Sequence, residues 1–306
     1  VGDIRLFSTT GPSAVELTGS SVQLEKSLQT YMEQNLEALL GVTFLATEYA
    51  TGKTHGGRID TLGLDENGFP VIIEYKRAMN ENVINQGLYY LDWLLDHQAE
   101  FELLVLKRLG QEKSGGLDFS SPRLLCIAGD FTKYDIHAVS QINRNIELIR
   151  YRKFEAGLLL LDLVNVTTVQ SIGTSSNGTT PAIQPASHKN SVARMIEQSD
   201  PVVHDRYETL KAFMEALGDD VTVSVLKSYV VFKRLRNFAC VYILPTRGEI
   251  VIWVKIDPDN VKLEEGFTRD VRKIGHWGTG DLEITIKNDE DLEKAKPLIL
   301  RSYDSV

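Results

Sequence analysis

The chain has 306 residues, 42% of them hydrophobic and 25% charged, with a formal net charge of −9. That length holds one large domain or two of ordinary size, and the composition is that of a soluble globular protein. The acidic balance argues against a protein coated in nucleic acid, but it leaves room for a local basic groove, because binding follows the local field. No apolar run reaches membrane-spanning length, the longest, "AGLLLLDLV", being broken by Asp162, so no membrane association is expected. The N-terminal stretch "VGDIRLFSTTGPSAVEL" lacks a basic segment followed by an apolar core, so a secretory signal is not expected. Cys126 and Cys240 lie in separate apolar runs and read as buried free thiols of a cytoplasmic protein, with no zinc site.

In chain order the first segment predicts α-β-β-β-α. "SSVQLEKSLQTYMEQNLEALLG" carries Leu24, Leu28, Tyr31, Leu36 and Leu39 near helical spacing and stops at Gly41. "VTFLATEYAT", "GRIDTLGL" and "PVIIEYKR" follow as strands, and "NENVINQGLYYLDWLLDHQAEFELLVLKRLG" returns to helical periodicity, capped by Asn80 or Asn82. "PRLLCIAGDF" predicts a strand, "TKYDIHAVSQIN" a short helix, and "IELIRYRKF" and "GLLLLDLV" two more strands. This rhythm suggests a three-layer α/β domain over residues 1–169. "SIGTSSNGTTPAIQPASHKNS" is too polar to fold alone, so residues 170–200 read as a linker. Residues 201–306 predict a smaller α+β domain: a helix, three or four antiparallel strands, and a closing helix over "DLEKAKPLILRSYDS".

The first hairpin carries the chemistry. In "GRIDTLGLDENGFPVIIEYKR", Asn67-Gly68 suits a tight turn and Asp65 can bond its backbone. A strand buried enough to hold Val71-Ile72-Ile73 should not spend burial on Glu74 and Lys76 without a reason. Alternation puts Ile72, Glu74 and Lys76 on one face, and an antiparallel partner strand brings Asp60 beside Glu74. Two such carboxylates repel, so one has a raised pKa unless a cation sits between them. Oxygen ligands of this kind suit Mg²⁺ or Mn²⁺ completed by substrate phosphate, and Lys76 then lies where it can orient water and stabilise developing charge. Hydrolysis of a phosphodiester is the implied chemistry. Glu25, on the inward face of the first helix with Leu28 and Met32, is a natural further carboxylate, with Glu33 or Glu37 as alternatives.

D-x13-E-x-K, after an acidic helix and before a helix bearing a glutamine, resembles the PD-(D/E)xK nuclease superfamily. "GGRID...PVIIEYKR...INQGLYYLDWL" is most similar, within it, to the catalytic half of the NucS-type endonucleases. The resemblance implies a restriction-endonuclease-like fold, with Asp60, Glu74 and the Tyr75 carbonyl as metal ligands. It makes Lys76 the catalytic lysine, Gln86 the helix-borne motif residue and Glu25 the first-helix acid. Arg58 matches the local pattern and can reach a phosphate. Ile59-Asp60 stands where the family has Pro-Asp, and the N-terminal DNA-binding domain of NucS enzymes is missing, so mismatch specificity does not carry over. Residues from about Val202 to Ser305 resemble a domain of unknown function found behind such nuclease domains.

In that C-terminal region "GHWGTGD" offers His276 and Trp277 as a donor and a stacking surface, though Gly-rich turns of this kind are often structural. "LKSYVVFKRLRN" places Lys227, Lys233, Arg234 and Arg236 among aromatics, as one basic strand face or as ordinary solvated charge. His55, His97, His137, His188 and His204 show no ligand spacing. Two functions follow: a metal-dependent DNA endonuclease whose second domain recognises substrate or a partner, or a nucleic-acid- or protein-binding module that keeps the nuclease fold without turnover. Nucleic acid, with DNA foremost, is the expected partner. Cutting both strands of a duplex asks for two active sites, which a homodimer would supply, and the sequence leaves that state open.

Overall fold

The computed structural model describes residues 4–20, 26–76, 83–167, 192–197, 199–276 and 278–306. Its contacts divide the chain into two units, Val1–Ile172 and Gly173–Val306.

The first unit opens with three short strands, β1 (Leu6–Ser8), β2 (Val15–Leu17) and β3 (Gly19–Ser20). The expected first helix is broken at Asn35 into α1 (Lys26–Gln34) and α2 (Leu36–Leu40), and it stops at Gly41, which takes a φ of 63°. Strand β4 (Val42–Ala50) leads through α3 (Gly52–His55) into the hairpin of β5 (Arg58–Asp65) and β6 (Pro70–Lys76). The long helix expected next turns at His97, giving α4 (Val83–Asp96) and α5 (Gln98–Leu109), followed by α6 (Gln111–Gly115). Then come β7 (Arg123–Ala128), α7 (Lys133–Ser140), β8 (Asn145–Phe154) and β9 (Leu159–Thr167). Asn80 and Asn82, the expected caps, lie outside the described residues.

Strands β1 and β2 pair as a two-stranded sheet of their own, and the others form one mixed sheet in the order β3-β8-β7-β6-β5-β4, with β9 also on β8. Strands β6, β7 and β8 run parallel, and the remaining pairs are antiparallel. Ile72, Leu124, Cys126, Ile146 and Leu148 pack with Leu91, Trp93, Leu94 and Phe101 of α4 and α5 on one face. On the opposite face Thr61 gives its hydroxyl hydrogen to Glu33 of α1 at 2.6 Å. The hairpin turn is built as its residues dictate. Asp65 Oδ1 accepts the N–H groups of Asn67 and Phe69 at 2.9 Å each. Gly68 takes a φ of 85°, and a Cβ there would come within 2.4 Å of the Gly116 carbonyl oxygen.

The second unit starts inside the range expected to be linker. Helix α8 (Val192–Glu197) buries Val192 in this unit's core, and of that range only residues 170–191 and 198 lie outside the described ones. Helix α9 (Pro201–Glu215) is followed by β10 (Thr222–Val225), β11 (Val230–Lys233), β12 (Asn237–Leu244), β13 (Glu249–Val254), β14 (Thr268–Asp270) and β15 (Leu282–Ile286), and α10 (Asp289–Asp304) closes the chain. The sheet order is β10-β11-β12-β13-β15-β14, antiparallel throughout. Val203, Tyr207 and Leu210 of α9 and Leu292, Ala295 and Ile299 of α10 pack with Phe232, Phe238 and Ile252 on one face. A smaller cluster of Tyr229, Val231, Cys240, Val251 and Trp253 lies apart from that core. Both cysteines are buried free thiols. Among the described residues no helix is long and apolar enough to cross a membrane.

Candidate functional site

The β5–β6 ladder runs in register from Leu64–Pro70 to Thr61–Ile73, where the regular pairing ends. One residue further, side chains take over from carbonyls. The Asp60 N–H donates to Glu74 Oε1 at 3.1 Å, and the Tyr75 N–H donates to Asp60 Oδ2 at 3.0 Å. Each carboxylate thus reaches across to the opposite strand, and the two strands are bridged by acids where they would otherwise part. Glu74 is almost wholly buried, at 1% exposure. Burial, then the Asp60 carboxylate and more weakly Glu48, push its carboxyl up to about 9 against the opposing Asp60 N–H bond. A charged Glu74 therefore calls for a cation.

Lys76 ends β6 and is buried, with its ammonium 3.5 Å from Asp135 Oδ2 and 6.0 Å from the Phe131 ring centre. Asp135 is itself pinned: with Thr132 it forms a capping box at the start of α7. Burial works to raise the Asp135 carboxyl, but the Thr132 N–H and hydroxyl and the Lys76 ammonium together hold it below the usual carboxylate range. Cys126 faces Glu74 in the parallel β6–β7 register, and burial, with Glu74 adding and Lys76 opposing, pushes its thiol up. This end of the sheet is where parallel strands present their carboxyl termini, the usual place for a ligand in an α/β fold.

The other expected residues divide. The Tyr75 hydroxyl is buried without a hydrogen-bond partner, while its backbone N–H serves Asp60. Gln86 is exposed on α4 and bonds the Tyr90 hydroxyl at 3.3 Å, which also accepts the Arg58 N–H at 3.0 Å, so the structure ties Gln86 to the start of β5 and not to the carboxylates. The Arg58 side chain is largely exposed and pairs with Glu48 at 2.9 Å. Glu25 and Trp277 lie outside the described residues.

Sequence reasoning passed over Glu48 and Asp135. Glu48 falls between the pairs Thr47–Thr61 and Tyr49–Ile59, so the register sets it opposite Asp60, and the three acids stand in a row over β4, β5 and β6. It is the one non-glycine residue with positive φ among those described, at 48°, a conformation costing about 1–2 kcal/mol. Asp135 was detectable from Thr132-x-x-Asp135, a helix-start signature directly after a predicted strand.

In the second unit the expected basic strand face is committed to holding the end of the chain. Lys233 is buried at 7% exposure. Arg234 pairs with Asp220 at 2.7 Å, lies 4.5 Å from the Tyr303 ring centre and donates to the Val306 carbonyl at 3.4 Å. Arg236 donates to the Ser305 carbonyl at 3.0 Å, and Lys227 alone of the four is exposed. His276 instead lines a groove of about 800 Å³ with Tyr242, Arg247, Trp253, Arg269 and Lys287. Its Nδ1–H donates to the Ile274 carbonyl at 2.8 Å, and its ring stacks on Trp253 with 5.5 Å between centroids. Trp253 is buried and gives its indole N–H to Glu283 at 3.0 Å, so His276 stacks on a ring fixed within β13.

Residues 192–306 match a family described as a domain of unknown function (DUF5655). An uncharacterized protein of Haemophilus influenzae is 26% identical over 302 residues, covering 97% of this chain and 98% of that relative, so the similarity runs through both units. No solved structure matches the chain.

Proposed function

We propose that this chain is a metal-dependent endonuclease of the PD-(D/E)xK kind that hydrolyses phosphodiester bonds in DNA, with its second unit serving substrate or partner recognition. The reading is carried by the Asp60–Glu74 bridge, in which a buried glutamate meets a second carboxylate at the end of a parallel strand. Among the described residues no cation stands within ion-pair distance of Glu74. An all-oxygen donor set with that deficit of positive charge fits Mg²⁺ or Mn²⁺, held by Asp60 and Glu74 with the Tyr75 carbonyl as a further ligand. The ion, when bound, supplies positive charge to a phosphate oxygen and acidity to a water.

The protein's own groups do the rest. Lys76, oriented by Asp135, donates to the attacking water or to the oxygen on which charge develops. Arg58, largely exposed beside Glu48, is the group that would meet the backbone phosphate bidentately. Burial of Glu74 and Lys76 removes competing water, which strengthens each of these interactions. The groove around His276 and Trp253, lined also by Arg247 and Lys287, is the surface of the second unit that we assign to holding a substrate or partner.

Nicking of supercoiled plasmid in Mg²⁺ or Mn²⁺ tests the reading. The wild type should cut, Asp60→Asn and Glu74→Gln should not, and Lys76→Ala should cut at least about a hundredfold more slowly. Cleavage unchanged in Lys76→Ala would remove the mechanism. A wild type that binds DNA and cuts nothing with either ion would leave a binding module on a nuclease-like scaffold.

A further inference from the structure

The α3–α4 corner of the first unit carries a second group of metal-type donors. His55, at the end of the four-residue turn between β4 and β5, meets Asp92 and Asp96, which stand one helical turn apart on α4. One ligand atom from each of the three lies within 4.8 Å of the others. Proximity of this kind normally ends in hydrogen bonds or an ion pair. Here, among the described residues, neither aspartate has a side-chain bond to any partner, and His55 is bonded to neither of them. Two unpaired aspartates at i and i+4 repel each other on a helix face. Independently, His55 Nδ1 is shut off from solvent with no hydrogen-bond partner, one of two such side-chain atoms among the described residues. Native structures seldom leave a buried polar atom in that condition.

We infer that His55, Asp92 and Asp96 form a site for a divalent transition ion of the Zn²⁺ class. One imidazole nitrogen and two carboxylate oxygens, with water in the remaining position, are a donor set that zinc accepts and magnesium does not favour. An ion there relieves the aspartate repulsion and gives a ring nitrogen of His55 a partner. The surrounding contacts make the corner ready to be fastened. The Tyr89 hydroxyl donates to the His55 carbonyl at 3.0 Å, and the His55 ring lies 5.1 Å from the Tyr89 ring and 5.6 Å from that of His97. The ion would clip the β4–β5 connection to α4, and that connection runs directly into Arg58 and Asp60. This site is independent of the nuclease reading, since its nitrogen donor separates it from the all-oxygen pair at Asp60 and Glu74.

The test uses the full chain in the Glu74→Gln background, which takes the hairpin site out of the count. One equivalent of Zn²⁺ should bind in equilibrium dialysis and raise the melting temperature, and Mg²⁺ at the same concentration should do neither. His55→Ala should weaken Zn²⁺ binding by more than about tenfold, the lower end of the effect of an outer-shell contact alone. If His55→Ala fails to fold, Asp92→Asn and Asp96→Asn, on the exposed side of α4, should give the same loss. Absence of Zn²⁺ binding in the Glu74→Gln protein, or binding untouched by all three substitutions, would overturn the site and leave an acidic patch only.

Discussion

The two ends of one hairpin treat buried charge in opposite ways. At the turn end, Arg123 of β7 donates to Glu147 of β8 at 2.8 and 3.0 Å and to Asp65 of β5 at 3.1 Å, with all three side chains at most 7% exposed. Burial opposes the charge on Arg123, but the two carboxylates outweigh it and raise its pKa. At the open end, Glu74 meets Asp60 with an amide N–H for a partner and its carboxyl is pushed up to about 9. The same strands therefore show both solutions. A set of charges that only has to hold the sheet together is closed on itself with planar, two-pronged geometry. Glu74, with no cation within ion-pair distance among the described residues, is buried most stably while it keeps its proton. Burial of ionisable groups does not by itself mark a site; an unbalanced burial does.

The sharpest way to break this contrast is at the closed end. Removing Arg123 leaves two buried carboxylates without their cation, and Arg123→Ala should cost about 3–5 kcal/mol in urea unfolding. A loss below about 1 kcal/mol would mean the triad is not a structural clamp. At the open end the roles reverse: Lys76→Ala should slow single-turnover cleavage by about 10²–10³-fold, as for loss of a charge-stabilising donor, with little change in the urea midpoint.

The pH dependence sharpens the comparison further. Glu74 has a folded pKa of about 9 against an ordinary 4.5, so its contribution to stability is complete below 4.5 and is lost as pH rises through about 9. Glu74→Gln lacks this loss. Between pH 7 and pH 8, without divalent ions, the wild type should fall behind the variant by roughly 1.4 kcal/mol, read from urea midpoints at the two pH values. Mg²⁺ should shrink that gap and release a proton, detectable by calorimetry in buffers of different ionisation enthalpy. The smallest effect belongs to the second unit. Arg234→Ala should cost about 1 kcal/mol, because its partly exposed pair with Asp220 and its contact with Tyr303 anchor the end of the chain. DNA affinity should be untouched, and a clear drop in affinity would restore the basic strand face as a binding surface.

Local features of the chain were legible wherever the physics is local. The alternation of "PVIIEYKR", the Asp65 turn, the Gly41 stop and the polarity of the segment after residue 169 each follow from neighbours in sequence. The misreadings are all at longer range. Helical periodicity continues through Asn35 and His97, and a period of apolar residues does not register the breaks the backbone takes there. Val192 looks like the tail of a polar linker, yet it is buried because a core assembled from residues 203–299 accepts it.

For the candidate site, the sequence by itself determined the donor types and their spacing on one hairpin, because antiparallel alternation leaves Asp60 and Glu74 few places to be. Only the tertiary structure decided what surrounds them. Glu48 joins the row through the register of a neighbouring strand, Asp135 reaches Lys76 from the helix after β7, and Asp92 and Asp96 find His55 across a corner closed by Tyr89. The Arg234 and Arg236 that look like a binding face are spent on the chain's own C-terminus. Charge and spacing are properties of the chain, but whether a charged group is open or already answered depends on which distant partner the fold brings to it, and that is settled by packing.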